Sequence, residues 1–124
     1  MTKLLVVDDE KNIRRLYETE LGREGYEVVT AESAEEALEV IEEDNPDLVV
    51  LDIRLEGMDG IDCLRNIMEK RRDLPVILNS AYSTYKQDFA SWMADAYVVK
   101  SADLTELKDT IKDVLEKRGK GPQG

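Results

Sequence analysis

Five short apolar runs alternate along this chain with longer amphipathic stretches, and that alternation constrains the fold more than any other feature. The runs are Leu4–Val7, Val28–Val29, Leu48–Leu51, Val76–Leu78 and Tyr97–Val99, each bounded by charged or turn-forming residues. The first, third and fourth are continuously apolar, the pattern of strands buried on both faces of a parallel sheet. Between the runs, apolar residues recur at helical spacing: Ile13, Leu16, Tyr17 and Leu21; Ala34, Ala37, Leu38 and Ile41; Ile61, Leu64, Ile67 and Met68; Leu104, Leu107, Ile111, Val114 and Leu115. The stretch 85–93, with Phe89, Trp92 and Met93, predicts a further helix. Ser33 with Glu36, and Asp103 with Glu106, have the spacing of a capping box. Gly25 is placed to close the first helix, and Asn45-Pro46 to end the second. Five strands alternating with five helices describe a doubly wound α/β domain, and right-handed crossovers put helices on both faces of its sheet.

With 124 residues, 42% of them hydrophobic, the chain suffices for one domain with its own core. Residues 1–118 are expected to form that domain. Residues 119–124 have linker composition, suiting a natural end, a connection to an output domain or a cloning remnant. No apolar stretch approaches the length of a membrane span and no signal peptide is evident, so no membrane contact is expected. A single cysteine, Cys63, cannot form an internal disulfide, and a cytoplasmic location is expected. Lying beside an apolar helical stripe, Cys63 reads as an inert, partly buried thiol. A formal net charge of −11 repels phosphate backbones and argues against nucleic acid binding by this domain. The chain has no histidine, which excludes a Ser-His-Asp triad, a Cys-His pair and histidine metal ligands.

In an open parallel sheet, ligands bind outside the carboxyl ends of the strands. Asp8 and Asp9 follow the first apolar run, Asp52 the third, Asn79 and Ser80 the fourth, and Lys100 the fifth. One aspartate after a strand is usually a helix cap or a turn residue. Polar groups at four strand ends are a different matter, because the fold brings them to one rim. Two carboxylates about 4 Å apart repel by roughly 4 kcal/mol at an effective dielectric near 20. Lys100 offsets part of the repulsion among three, and a hard divalent cation with oxygen ligands offsets the rest. Mg²⁺ suits the site, since it binds through one or two carboxylates and keeps waters that a phosphate can displace.

These residues carry a resemblance. Leu5-Val6-Val7-Asp8-Asp9-Glu10, Asp47-Leu48-Val49-Val50-Leu51-Asp52, Gly57-Met58-Asp59-Gly60 and Tyr97-Val98-Val99-Lys100 are together similar to a response-regulator receiver domain of two-component signalling, over residues 3–117. The resemblance implies a flavodoxin-like sheet of order 2-1-3-4-5. It implies that Asp52 is the phosphoacceptor, that Asp9 and Asp52 bind Mg²⁺ directly and Asp8 directly or through water, and that the Arg54 backbone carbonyl adds an oxygen. Lys100 then pairs with phosphoryl oxygens, Ser80 donates a hydrogen bond to one of them, and small Ala81 leaves room beside them. Tyr97 matches an aromatic that turns inward when Ser80 is drawn to the phosphate, although an aromatic in a strand also serves ordinary core packing. A carboxylate nucleophile is ionised at neutral pH and needs no histidine base. The implied partners are a histidine kinase or phosphotransfer protein and an output partner or C-terminal output domain, with the domain a monomer or a homodimer.

The sequence departs from the family pattern at three positions. Ser101 follows Lys100 where a cis proline is usual, and a cis bond there would cost roughly 2.5–4 kcal/mol, so a trans bond or a local rearrangement is expected. Glu56 replaces a proline, and Met93 a glycine. Arg54 and Tyr82 stand where the family tunes the lifetime of its phosphorylated state. Two other readings compete. An aspartate-nucleophile phosphatase wants a second aspartate two positions after the first, where this chain has Arg54. A pseudo-receiver would bind partners without phosphorylation, against the intact set of Asp8, Asp9, Asp52, Ser80 and Lys100.

Overall fold

The computed structural model describes residues 1–55, 60–81 and 94–118. Five parallel strands, β1 (Lys3–Val7), β2 (Glu27–Ala31), β3 (Leu48–Leu51), β4 (Val76–Ser80) and β5 (Ala96–Val99), form one sheet of order β2-β1-β3-β4-β5. Four helices lie among the described residues: α1 (Lys11–Arg23), α2 (Ala34–Asp44), α3 (Gly60–Lys70) and α4 (Thr105–Lys117). The helix expected over 85–93, together with Glu56, Tyr82 and Met93, lies outside the described residues.

Alternation along the strands builds two cores. Leu5, Val7, Val49, Leu51, Val76, Leu78 and Tyr97 face one way and pack with Ala34, Ala37 and Ile41 of α2 and Ile61, Cys63, Leu64 and Ile67 of α3. Leu4, Val6, Leu48, Val50, Ile77 and Val98 face the other way, against Tyr17 and Leu21 of α1 and Leu107, Ile111, Val114 and Leu115 of α4. The three continuously apolar runs are the inner strands β1, β3 and β4, sandwiched between helices on both sides. The runs that are only partly buried, β2 and β5, are the sheet's edges.

The helix ends follow their sequence signals with two adjustments. At the end of α1, Gly25 takes φ +96°, its N–H donates to Gly22 O and that of Tyr26 donates to Leu21 O, the paired bonds of a Schellman motif. Asn45 ends α2 at φ 50°, and Pro46 prevents continuation. Ser33 Oγ accepts the Glu36 N–H, but the Glu36 carboxylate reaches one residue further back, to the N–H of Glu32. Into α4, Asp103 Oδ1 accepts both the N–H and the hydroxyl of Thr105, a local turn where a capping box was expected.

Two burial expectations are corrected. Leu16 is 39% exposed, because it lies about 100° around the helix from Tyr17, outside the arc shared by Ile13, Tyr17 and Leu21. Cys63 is fully buried, since α3 turns it into the core formed with α2.

Candidate functional site

The polar residues at the strand ends are held at the rim by backbone bonds that run one residue past each strand. The Asp8 N–H donates to Ala31 O (3.1 Å), the Asp52 N–H to Val7 O (3.0 Å) and the Lys100 N–H to Ser80 O (2.7 Å). Asp8 and Asp52 are thus seated at the ends of adjacent strands β1 and β3, with Ser80 and Lys100 beside them on β4 and after β5.

The two buried carboxylates divide their oxygens in the same way. Asp8 Oδ1 accepts the N–H of Glu10 (2.9 Å) and Asp52 Oδ1 that of Arg54 (3.2 Å), each bracing its own loop through a two-residue turn. Their Oδ2 atoms both face the Lys100 ammonium, at 2.7 Å for Asp8 and 3.1 Å for Asp52. Asp9 is exposed, yet one carboxylate oxygen from each of Asp8, Asp9 and Asp52 can be chosen so that all lie within 4.8 Å of one another. A cleft of about 250 Å³ opens beside them, lined by Asp9, Glu10, Asp52, Arg54, Ser80, Ala81 and Lys100.

One ammonium between two buried anions explains the electrostatics. Burial pushes the Asp52 carboxyl above its usual pKa; the Lys100 charge opposes this and the Asp8 charge adds to it. For Lys100, burial acts to lower the pKa, but the hydrogen bond to Asp8 and the charges of Asp52 and Asp8 outweigh it, and the ammonium is held above its ordinary value. Three carboxylates and one ammonium leave a formal charge of −2 in the cluster. An all-oxygen donor set with that excess suits a hard divalent cation.

Of the residues singled out from the sequence, those at the four strand ends lie at this site. Asp8, Asp9, Asp52, Ser80 and Lys100 converge, and Arg54 lines the cleft. Ser80 is fully buried, and Tyr97, 7% exposed, is packed in the core on the α2–α3 side. No cis peptide occurs among the described residues, so Lys100–Ser101 is trans. The Ser101 hydroxyl accepts the Asp103 N–H (3.2 Å), a turn that replaces the customary proline with hydrogen bonding. Two residues escaped the sequence reading. Arg14 of α1 donates through Nη1 to the Asp8 carbonyl (2.9 Å) and clamps the loop that carries the acidic pair. Tyr17 donates its hydroxyl to Asn79 Oδ1 (2.6 Å), next to Ser80. Helical spacing placed Tyr17 on the buried face, but no local pattern marks a partner 62 residues away.

A family model described as the response regulator receiver domain matches residues 4–112. The chain belongs to this family. The receiver domain is 50% identical to the response regulator TrrA of Thermotoga maritima, whose crystal structure is described as a complex with Mg²⁺-BeF; the match has a TM-score of 0.89 and covers 93% of this chain and 100% of that one. TrrA in complex with the histidine kinase ThkA matches with a TM-score of 0.86 over 93% of this chain. Sporulation initiation phosphotransferase F of Bacillus subtilis is 33% identical over 91% of this chain and 93% of its own length. The probable transcriptional regulator ycf27 of Cyanophora paradoxa is 40% identical over 93% of this chain but only 48% of its own length. The receiver domain therefore spans about half the length of the ycf27 relatives it matches.

Proposed function

We propose that this receiver domain is a phosphoacceptor switch in which Asp52 takes a phosphoryl group from the phosphohistidine of a histidine kinase or phosphotransfer protein. The observation that carries the reading is Lys100 bridging Asp8 and Asp52 at the mouth of a cleft that Asp9 and Ser80 also line. An Asp52 carboxylate oxygen attacks phosphorus, the donor's phosphorus–nitrogen bond breaks, and its electron pair returns to the imidazole. Such transfer needs positioning and charge neutralisation more than covalent help. Lys100 exchanges part of its contact with the carboxylates for the phosphoryl oxygens. The Ser80 hydroxyl donates to another of them, and Ala81 leaves space beside it. Asp8, Asp9, Asp52 and the Arg54 carbonyl would hold Mg²⁺, which would supply charge neutralisation for the transferring group.

The acyl phosphate adds negative charge and strong acceptors at the rim. Ser80 drawn towards it, with Tyr97 following, biases the β4–β5 side of the molecule between two arrangements read by an output partner or domain. The domain is thus a signalling switch whose chemistry is confined to its own phosphorylation and dephosphorylation. Two of its relatives, a protein crystallised with a histidine kinase and one named a phosphotransferase, support the donor assignment. Among the described residues no helix is long and apolar enough to cross a membrane, and the lone cysteine is free; both suit a cytoplasmic location.

Incubation with Mg²⁺ and acetyl phosphate tests this. Intact mass should show one acid-stable, base-labile phosphoryl adduct on the natural chain and none on Asp52→Asn. A labelled Asp52→Asn protein, or steady hydrolysis of many phosphate esters, would defeat the proposal.

A further inference from the structure

A buried polar chain runs beneath the site, from one layer of the fold into another. The Tyr17 hydroxyl of α1 donates to Asn79 Oδ1 of β4 (2.6 Å), and Asn79 Nδ2 donates to the Val98 carbonyl of β5 (2.9 Å). Both side chains are 2% exposed. Asn79 immediately precedes Ser80, and Val98 lies two residues before Lys100, whose own N–H is bonded to Ser80 O. Simple core packing does not account for this pair. A phenol and a carboxamide stand among Ile77, Val98 and Leu21, where aliphatic residues would fill space at no polar cost. Each polar group instead ties down a strand end that carries a group of the site.

We propose that Tyr17 and Asn79 are positioning residues for phosphoryl transfer, a brace that fixes the ends of β4 and β5 so that Ser80 and Lys100 meet Asp52 at the transfer distance. The inference rests on the reading of Asp52 as phosphoacceptor. The brace leaves the metal-binding half of the site alone, because Asp8, Asp9 and Asp52 are seated by β1 and β3, whose rim bonds run to Ala31 and Val7. Its loss is therefore expected to slow transfer without weakening cation binding. Fully satisfied buried networks of this kind hold a unique geometry, and misplacement of reacting groups by about 1 Å can cost up to about a hundredfold in rate.

The test is the double substitution Tyr17→Phe with Asn79→Leu, which removes the phenol and the carboxamide together so that neither is stranded, the Val98 carbonyl alone giving up its bond from Asn79 Nδ2. Mg²⁺ affinity, thermal midpoint and the rate of phosphorylation by acetyl phosphate are measured on the full chain. The expected result is a Mg²⁺ Kd within about twofold of the natural chain and a phosphorylation rate reduced by at least about tenfold. If the natural chain labels and the folded double variant labels at the same rate, the brace is packing alone and the proposal fails. Equal loss of Mg²⁺ affinity and rate would also overturn it, by showing a general disturbance of the site. If the natural chain does not label at all, it is the phosphoacceptor reading that has failed. Should the double variant not fold, Tyr17→Phe alone, which removes only the hydroxyl, decides by the same rate comparison.

Discussion

At the scale of single residues, burial sets the chemistry of groups that would otherwise react. Cys63 is fully enclosed, and burial, with a further push from the Glu35 charge, lifts its thiol from 9.0 to about 12. The folded chain then keeps the thiol proton at pH values where the unfolded chain has released it. The stability tied to this group is whole below about pH 9 and is lost as pH rises towards 12; Tyr17, raised by burial to about 12, adds to the same alkaline slope. Two outcomes are expected. The native protein resists a thiol-specific reagent at pH 8 and reacts fully in denaturant, and Cys63→Ala shows a shallower fall in urea stability between pH 9 and 11 than the natural chain. Native labelling as fast as unfolded labelling would show that Cys63 is accessible. The pair Asp8 and Asp52 illustrates the opposite treatment: neither is left without a countercharge, but they share one, and that shared ammonium keeps both carboxylates at the rim.

At the scale of elements, the entry of α3 governs where Asp52 sits. The Gly60 N–H donates to Ile53 O at 2.8 Å, and a Cβ on Gly60 would run into the Asp52 carbonyl and lie 2.8 Å from Ile53 O. Backbone, not a movable side chain, blocks that space. Gly60→Ala is therefore expected to cost about 2 kcal/mol in urea unfolding, in the range of overpacked sites, and to slow phosphorylation of Asp52 because the backbone that must give way is that of Asp52 and Ile53. Natural-like stability and rate in that variant would show that α3 docks more loosely than the contact implies. Elements and site were legible from sequence to different depths. β1, β3 and β4 announced themselves because strands buried on both faces carry unbroken apolar runs, and the groups after them had to reach the same rim. The ends of α1 and α2 were legible because Gly25 and Asn45 are residue types that tolerate a left-handed backbone. Contacts between distant segments were not. Helical spacing counts Tyr17 as one more apolar position, and its tie to Asn79 exists only once α1 packs on β4. Leu16 was misplaced for a related reason: periodicity finds a stripe, but the neighbouring surface decides how wide a stripe is covered.

At the scale of the whole molecule, a formal charge of −11 sits on 124 residues, and part of it is concentrated where three carboxylates meet one lysine. Self-repulsion on this scale weakens the folded state, and salt screens it with a range of about 8–10 Å at moderate ionic strength. A cation seated among Asp8, Asp9 and Asp52 acts differently, because it stabilises only the fold that assembles all three. At a hundred times its Kd such a ligand adds about 2.7 kcal/mol, a rise in Tm of about 10 °C for a domain of this size. NaCl at matched ionic strength supplies the screening without the seat. Mg²⁺ is accordingly expected to raise Tm well beyond the NaCl control in the natural chain. Asp9→Ala separates the two effects further. Asp9 is exposed and lies off the Lys100 bridge, so its removal relieves repulsion and should leave the metal-free Tm equal or slightly higher, while most of the Mg²⁺ increment disappears. An ordinary damaging substitution would lower the first value and leave the increment intact. Identical melting curves for the natural chain in Mg²⁺ and in matched NaCl would mean that the acidic rim attracts ions only as diffuse charge and holds no bound cation.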